Sequence, residues 1–278
     1  MASLRRRKFI FDLQIASYVQ SGRIARSEWE SVLKYMSNRA RYAISSITLY
    51  ELIAGIDGGD EAHFPENRDR LKILYEPAGR ECLPLASDFV RSVVFSLPIR
   101  AQAFEQSKLK RWIEVILHAR TRAELRDGRV MVRGQSYGSQ IAPLVEHIRK
   151  GKQQDAERLE KLRRGERRAS TPDTWAREVL ARMNVPTTAE NKAKILSTMD
   201  AAWRYELARY GLAKDTPYPF AKHGSDWLDS QLLYYFADPV IHLVTCDSKI
   251  KDRMKGSTQL GRILHFDELL AMAKTASP

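Results

Sequence analysis

The chain has 278 residues, of which 44% are apolar and 29% charged, a composition typical of a globular protein. Its 46 Lys and Arg outnumber its 34 Asp and Glu, and the formal charge of +12 favours a polyanionic partner. Two cysteines are too few for a disulfide framework or a four-ligand zinc site, and no apolar run approaches the roughly 20 residues needed to cross a bilayer. The basic cluster at 5–8 is followed by too few apolar residues for a secretory signal. We therefore expect a cytoplasmic protein with no membrane partner.

The amino-terminal part of the chain predicts two strands, each followed by a helix. The apolar run at 8–11 has strand length, ends at Asp12 and leads into helix-type spacing of apolar residues. A second run at 42–45 leads into a helix that Ser46 is predicted to cap and Gly55 to end.

The carboxyl-terminal part continues this alternation. A helix is predicted to open within 223–229 and to run through Phe236, and strands are predicted over 241–245 and 262–266. A last helix is predicted to start at Asp267. Strands that alternate with helices predict an α/β fold with a mainly parallel sheet covered on both faces.

The interior of the chain, from about 85 to 214, has mostly the spacing of amphipathic helices. Helix starts are predicted at Thr171, which precedes a proline, and at the capping box that begins with Thr187, and Gly211 is a predicted stop. The predicted organisation is an α/β domain in two parts with a mostly helical insertion between them: 1–80 and 221–278 for the domain, and 81–220 for the insertion.

The segment 149–168 carries nine basic and four acidic side chains with few apolar ones. Two interpretations fit this composition. One is a solvated helix and loop, and the other is an arm of the inserted domain that contacts nucleic acid.

Four acidic residues have positions that suggest a shared site. Asp12 and Asp247 follow the first and third predicted strands, Glu51 lies in the helix after the second, and Asp229 lies in the helix before the third. Ligands of open parallel sheets bind outside the carboxyl ends of the strands. Clustered carboxylates repel one another unless a cation neutralises them, and oxygen ligands without His or Cys select Mg²⁺ or Mn²⁺ over zinc. The pattern predicts a metal site that includes these four acids, with Asp226 as an extra acid that either adds to the site or replaces Asp229.

Each acid taken singly also has a purely structural explanation. Asp12 and Asp247 fit helix caps or turn formers, and Glu51 fits an exposed helix residue. Asp226 and Asp229 fit a capping pair in the first turn of their helix. The prediction of a site therefore depends on the whole set.

The set, in this order, resembles the PIN-domain nucleases. The matching segments are Phe-Ile-Phe-Asp12, Ile-Ser-Ser-Ile-Thr-Leu-Tyr-Glu51 and the block from Asp229 to Asp247. In that block Asp229 lies at the start of a helix, and a strand then leads to Thr245-x-Asp247. Asp247 follows Asp229 by eighteen residues, and this spacing is the most specific part of the match. The resemblance covers about half the chain.

The resemblance implies a central parallel sheet flanked by helices and cleavage of single-stranded RNA by metal-activated water. The four catalytic acids would be ligands of Mg²⁺ or Mn²⁺, with Thr245 as a nearby hydroxyl. We expect RNA rather than DNA as the nucleic-acid partner. Because many bacterial members are toxins, an antitoxin protein is a further expected partner. About 180 residues separate Glu51 from Asp229, far more than in compact members, and the helical segment therefore resembles an insertion or cap.

Two other functions fit parts of the sequence. The segment Gly134-Gln-Ser136-Tyr-Gly138 matches the nucleophile elbow of serine hydrolases. The run before it is short and flanked by arginines, and no glycine-rich oxyanion loop precedes it, which favours a surface turn. A PIN-type domain can also serve as a non-catalytic RNA-binding or assembly scaffold.

Overall fold

The computed structural model of the chain describes residues 6–79, 81–100, 106–127, 131–132, 135–215 and 226–276. The described strands are β1 Lys8–Phe11, β2 Arg41–Tyr42, β3 Met131–Val132, β4 Gln135–Ser136, β5 Ile241–Thr245 and β6 Ile263–His265. The described α-helices are α1 Leu13–Gln20, α2 Arg26–Arg39, α3 Ser46–Gly58, α4 Phe64–Tyr75, α5 Ala86–Phe95, α6 Gln106–His118, α7 Arg122–Arg126, α8 Tyr137–Arg163, α9 Pro172–Arg182, α10 Ala189–Thr198, α11 Asp200–Asp215, α12 Asp226–Leu232, α13 Ser248–Arg253 and α14 Phe266–Ala276. Short 3₁₀ turns lie at Glu61–His63, Leu233–Ala237 and Leu260–Arg262.

The centre of the fold is a four-stranded sheet in the order β2–β1–β5–β6, and all its strand pairs are parallel. The predicted strands at 8–11 and 241–245 are confirmed, and they are neighbours in this sheet. The predicted strand at 42–45 is shorter, because Ile44 leaves the ladder and forms a single parallel bridge with Cys82. The α/β fold with a parallel sheet flanked by helices is thus confirmed.

Alternating side chains of the strands enter two separate apolar cores. Phe9 and Phe11 of β1 lie in one core, and Ile10 lies in the other. In β5, Val244 lies in the core that contains Phe11, and its neighbour Leu243 lies in the core that contains Ile10. Because successive side chains of a strand point to opposite faces, helices cover both faces of the sheet.

Helices from the middle of the chain contribute to both cores. Trp112 and Ile113 of α6 join the core that contains Phe11, and Trp175 of α9 and Tyr205 of α11 join the core that contains Ile10. Each core therefore combines residues of the predicted insertion with residues of both chain ends. The domain boundaries stay a prediction.

Helices α8 and α11 are joined by a buried group of charges. Arg158 of α8 lies 2.8 Å from Asp155 and 3.0 Å from Glu206 of α11, and Arg209 lies 3.1 Å from Glu206 and also pairs with Asp155. All four side chains are at most 15% exposed. Because each charge faces partners of opposite sign, removal of one member would leave a buried charge uncompensated.

The helix that contains Glu51 is α3. Its cap lies one residue before the predicted cap, and the helix extends beyond its predicted end. Ser45, not Ser46, is the cap, and its hydroxyl accepts from the Thr48 N–H at 3.0 Å. Ser46 is the first helical residue, and its hydroxyl donates to the carbonyl of Leu83. The predicted stop at Gly55 is wrong, since α3 continues to 58.

Two predicted helix ends in the middle of the chain are also wrong. The cap of α10 is Thr188 instead of Thr187, and its hydroxyl accepts from the Asn191 N–H at 3.2 Å. Gly211 lies inside α11, which continues to Asp215. Tertiary packing of α11 outweighs the propensity cost of one glycine, which is about 1 kcal/mol. The predicted cap Thr171 is confirmed.

Within the residues that the structure describes, no helix has both the length and the apolar character needed to span a membrane.

A close approach of α8 to α12 predicts opposite effects for two glycine substitutions. A Cβ at Gly151 would lie 2.5 Å from Cη2 of Trp227, whereas a Cβ at Gly211 would meet no described atom within 4 Å. We expect Gly151→Ala to lower the free energy of unfolding by about 1–3 kcal/mol, because the two helices must separate. Gly211→Ala is the matched control and should raise it by up to about 1 kcal/mol. Urea unfolding measures both, and a stabilising Gly151→Ala would contradict the close contact.

Candidate metal centre

The four acids of the predicted site come from segments around the two central strands of the sheet. Asp12 directly follows β1, and Asp247 follows β5 by two residues. The chain leaves β1 toward β2 on one side of the sheet and leaves β5 toward β6 on the other. The carboxyl edge between β1 and β5 is therefore a topological switch point, the place where open α/β sheets bind ligands. We call Asp12, Glu51, Asp229 and Asp247 the acidic edge.

The buried hydroxyl of Thr245 connects the two strand-end aspartates. It donates to Oδ2 of Asp12 at 2.8 Å and accepts from the Asp247 N–H at 2.9 Å. Thr245 is the last residue of β5, and the Asp12 N–H donates to the Val244 carbonyl at 3.0 Å. The strand pairing thus places both aspartates on the same edge of the sheet.

Both strand-end aspartates also cap helices, as the structural interpretation of each residue predicted. Oδ1 of Asp12 accepts from the Gln14 N–H at 3.3 Å at the start of α1, and Oδ1 of Asp247 accepts from the Lys249 N–H at 2.9 Å at the start of α13. A carboxylate has about four lone-pair sites, and these bonds leave others on each group. Capping and ligand binding are therefore compatible here.

The acids from the two helices complete the edge. Burial raises the pKa of Asp229 well above its usual range, and the charges of Asp12 and Glu51 raise it further, as do those of Asp226 and Asp247. Burial and the charge of Asp12 also raise the pKa of Glu51 to about 7, against the opposing effect of Lys152. Burial raises the pKa of Asp12, and Asp247 adds to that rise. Because each acid alters its neighbours electrostatically, the edge is one cluster of mutually repelling carboxylates.

Asp226 has a different environment from Asp229. Its Oδ2 lies 2.7 Å from Nη1 of Arg253, and both side chains are less than 10% exposed. Asp229 instead accepts a hydrogen bond from the hydroxyl of Tyr205 at 3.3 Å. The two candidate ligands in α12 therefore face different partners, one a full positive charge and one a neutral hydroxyl.

The donor chemistry of the acidic edge fits a hard divalent cation. All four side chains offer carboxylate oxygens, the ligands that Mg²⁺ and Mn²⁺ prefer. In the described part of the chain, no three His, Cys, Asp or Glu side chains already stand close enough together to hold a metal ion.

Three residues of this region were not found from the sequence: Tyr205, Arg253 and Lys152. Tyr205 lies in the part of the chain with amphipathic-helix spacing, where a buried tyrosine is ordinary core. Arg253 and Lys152 lie among many other basic residues. No local signal marks them, because each meets the acids only through packing of distant helices.

The serine of the hydrolase-like motif lies away from the main sheet. Ser136 ends β4, which pairs antiparallel with β3 in a separate two-stranded sheet. A nucleophile elbow requires a strand-to-helix turn at the top of the central sheet. Gly134 lies outside the described residues. The position of Ser136 does not fit the hydrolase interpretation.

The basic segment 149–168 lies largely in α8, and several of its arginines have acidic partners. Glu160 pairs with Arg163 and Arg164, and Glu178 of α9 pairs with Arg167. These pairs neutralise part of the charge and agree with a solvated helix. The contact of this segment with nucleic acid stays a prediction.

A cleft of about 810 Å³ lies beside this part of α8. Its lining includes Lys150, Arg158, Arg182 and Trp227, and none of the acidic-edge residues line it. The cleft is therefore separate from the candidate metal centre.

The raised pKa of Glu51 predicts a pH dependence of stability. A carboxyl whose pKa is about 7 when folded and about 4.3 when unfolded binds more protons in the folded state between these values. Its contribution to stability is therefore present at low pH and lost as the pH rises toward 7. We expect Glu51→Gln to gain thermal stability relative to wild type as the pH rises from about 5 to about 8 in chelator. The melting temperature of both proteins at each pH measures this difference.

The matched control is Glu160→Gln. Arg163 lowers the pKa of Glu160 to about 2, and this carboxyl is therefore ionised in both states across the same pH range. The difference between Glu160→Gln and wild type should stay constant there. A constant difference for Glu51→Gln as well would contradict the buried, repelled state of Glu51.

Comparisons of the chain with protein-family models, with curated proteins and with solved structures find no match. The functional assignment is therefore argued from the geometry and electrostatics of the acidic edge.

Proposed function

We propose that the chain is a Mg²⁺- or Mn²⁺-dependent endonuclease of PIN type that cleaves single-stranded RNA. One observation carries the proposal: the Thr245 hydroxyl joins Asp12 and the Asp247 backbone at the switch point of the sheet. Besides burial, the charge of Asp12 raises the pKa of Glu51, and the charges of Asp12 and Asp247 raise the pKa of Asp229. Acids at such an edge are placed to act on a ligand that binds outside the strand ends.

The residues of the acidic edge have separate roles in this proposal. Asp12 and Asp247 hold the cation from the rigid ends of neighbouring strands, and Glu51 and Asp229 complete the set of ligands directly or through water. A bound Mg²⁺ or Mn²⁺ supplies acidity to a coordinated water and neutralises negative charge that develops on the phosphodiester. Thr245 fixes the orientation of Asp12, and no side chain is needed as a nucleophile.

The substrate assignment depends on charge and on the PIN resemblance. The formal charge of +12 favours a polyanion and predicts salt-dependent binding. In this proposal the helices between Glu51 and Asp229 narrow access to the edge, which favours a single strand over a duplex. A toxin-like role with an antitoxin partner follows from the resemblance alone.

The proposal predicts that Asp12→Asn abolishes cleavage and leaves RNA affinity within about threefold of wild type, since a single neutralised acid removes cation binding and little of the basic surface. Purified protein is incubated with total cellular RNA and Mn²⁺, and the new RNA ends are mapped. A parallel reaction contains chelator. RNA affinity is measured separately by fluorescence anisotropy.

Asp252→Asn is the matched control, because Asp252 lies on α13 near the edge but pairs with Lys255 at the surface. It should cleave RNA as wild type does. Full activity in chelator or in Asp12→Asn would contradict the mechanism. RNA binding by wild type without cleavage would favour the non-catalytic scaffold.

A further inference from the structure

Tyr205, Arg253 and the two aspartates of α12 form a buried hydrogen-bonded group beside the acidic edge. The Tyr205 hydroxyl lies 2.7 Å from Nη1 of Arg253 and 3.3 Å from Oδ2 of Asp229. The same Nη1 lies 2.7 Å from Oδ2 of Asp226. The guanidinium of Arg253 also lies over the Tyr205 ring, 5.1 Å from its centroid. The four groups come from α11, α12 and α13, and they meet only in the folded chain.

The chemistry of these groups fixes the direction of each hydrogen bond. A guanidinium only donates, and the Tyr205 oxygen therefore accepts from Arg253. The single hydroxyl proton of Tyr205 is then directed to Asp229, which accepts through Oδ2. Among the described contacts, Asp226 accepts from the charged guanidinium of Arg253, whereas Asp229 accepts from the neutral hydroxyl of Tyr205.

We propose that Tyr205 and Arg253 are positioning residues that give the two aspartates of α12 different tasks. Asp229 is presented to the cation as a ligand, with Oδ2 held by Tyr205. Asp226 is the counter-ion of Arg253 and not a ligand. This inference rests on the proposed metal-dependent function, and it selects between the two candidate ligands in α12.

Packing roles of the same residues have to be separated from positioning. Tyr205 is fully buried in the core, and loss of its ring would destabilise the protein whatever the hydroxyl does. Tyr205→Phe removes only the hydroxyl and keeps both the ring and its contact with Arg253. Tyr235→Phe is the matched control: Tyr235 is also fully buried, and its hydroxyl donates to the Pro84 carbonyl at 2.7 Å, a group outside the acidic edge.

The test measures Mn²⁺ binding to the full-length chain by calorimetry and RNA cleavage as a function of Mn²⁺ concentration. We expect Tyr205→Phe to raise the Kd for Mn²⁺ and the half-saturating Mn²⁺ concentration about tenfold or more, as is typical when a partner of a metal ligand is lost. The maximal rate at saturating Mn²⁺ should stay within about threefold of wild type. Tyr235→Phe should leave all three quantities at their wild-type values, even where it lowers the melting temperature.

The two aspartates provide a second, independent comparison. Asp229→Asn should abolish Mn²⁺ binding, because a neutral amide replaces a carboxylate ligand. Asp226→Asn retains an oxygen that accepts from Arg253, and we expect it to weaken Mn²⁺ binding less than about tenfold.

The outcomes distinguish this inference from the proposed function. Wild-type Mn²⁺ affinity in Tyr205→Phe, or loss of binding in Asp226→Asn as complete as in Asp229→Asn, would overturn the inference and leave the nuclease intact. A wild-type protein that neither binds Mn²⁺ nor cleaves RNA would overturn both. Weakened Mn²⁺ affinity in Tyr205→Phe alone among the two tyrosine variants would support the inference.

Discussion

The pairing of β1 with β5 is the interaction on which the rest of the structure depends. Four residues of each strand pair in parallel register, and the Thr245 hydroxyl reaches Asp12 across a sequence separation of 233 residues. This pairing closes the sheet between the two chain ends and puts the switch point at its centre. Both apolar cores form on the faces of these two strands, and the middle helices complete them. Loss of this register would separate the strand-end acids and expose both cores at once.

The carboxylates of the acidic edge are buried or half-buried and repel one another, which raises the free energy of their ionised forms in the folded chain. Burial raises the pKa of Asp12, Glu51 and Asp229, and each neighbouring acid adds to the rise. A fold stabilises such a group only through compensating donors, and the starts of α1 and α13 supply two backbone N–H groups. These caps satisfy part of the charge and leave carboxylate oxygens for a ligand. Strongly perturbed pKa values of this kind cluster at functional sites.

Two buried groups of charged side chains differ in how far their charges balance. Asp155, Arg158, Glu206 and Arg209 balance one another without a ligand, and they join α8 to α11. Beside the acidic edge, Arg253 pairs with Asp226, and burial together with the neighbouring acids raises the pKa of Asp229. The first group is thus balanced as a structural element, whereas the carboxylates of the acidic edge repel one another. This difference in charge balance is the physical basis for assigning function to the second group.

The sequence by itself determined the elements whose signals are local. Apolar runs predicted β1 and β5, and Thr171 before a proline predicted the start of α9, because strand burial and helix capping depend on adjacent residues. The four acids were also found from their positions next to these elements, although their role stays a prediction. Local pattern placed the caps at Ser46 and Thr187 one residue from those observed, since backbone conformation and packing select the cap.

Only the tertiary structure decided which distant groups meet. The contacts of Tyr205 and Arg253 with the aspartates of α12, which give Asp226 a charged partner and Asp229 a neutral one, follow from how three separate helices pack. These contacts have no period or motif in the chain, because they join residues 24 to 48 positions apart.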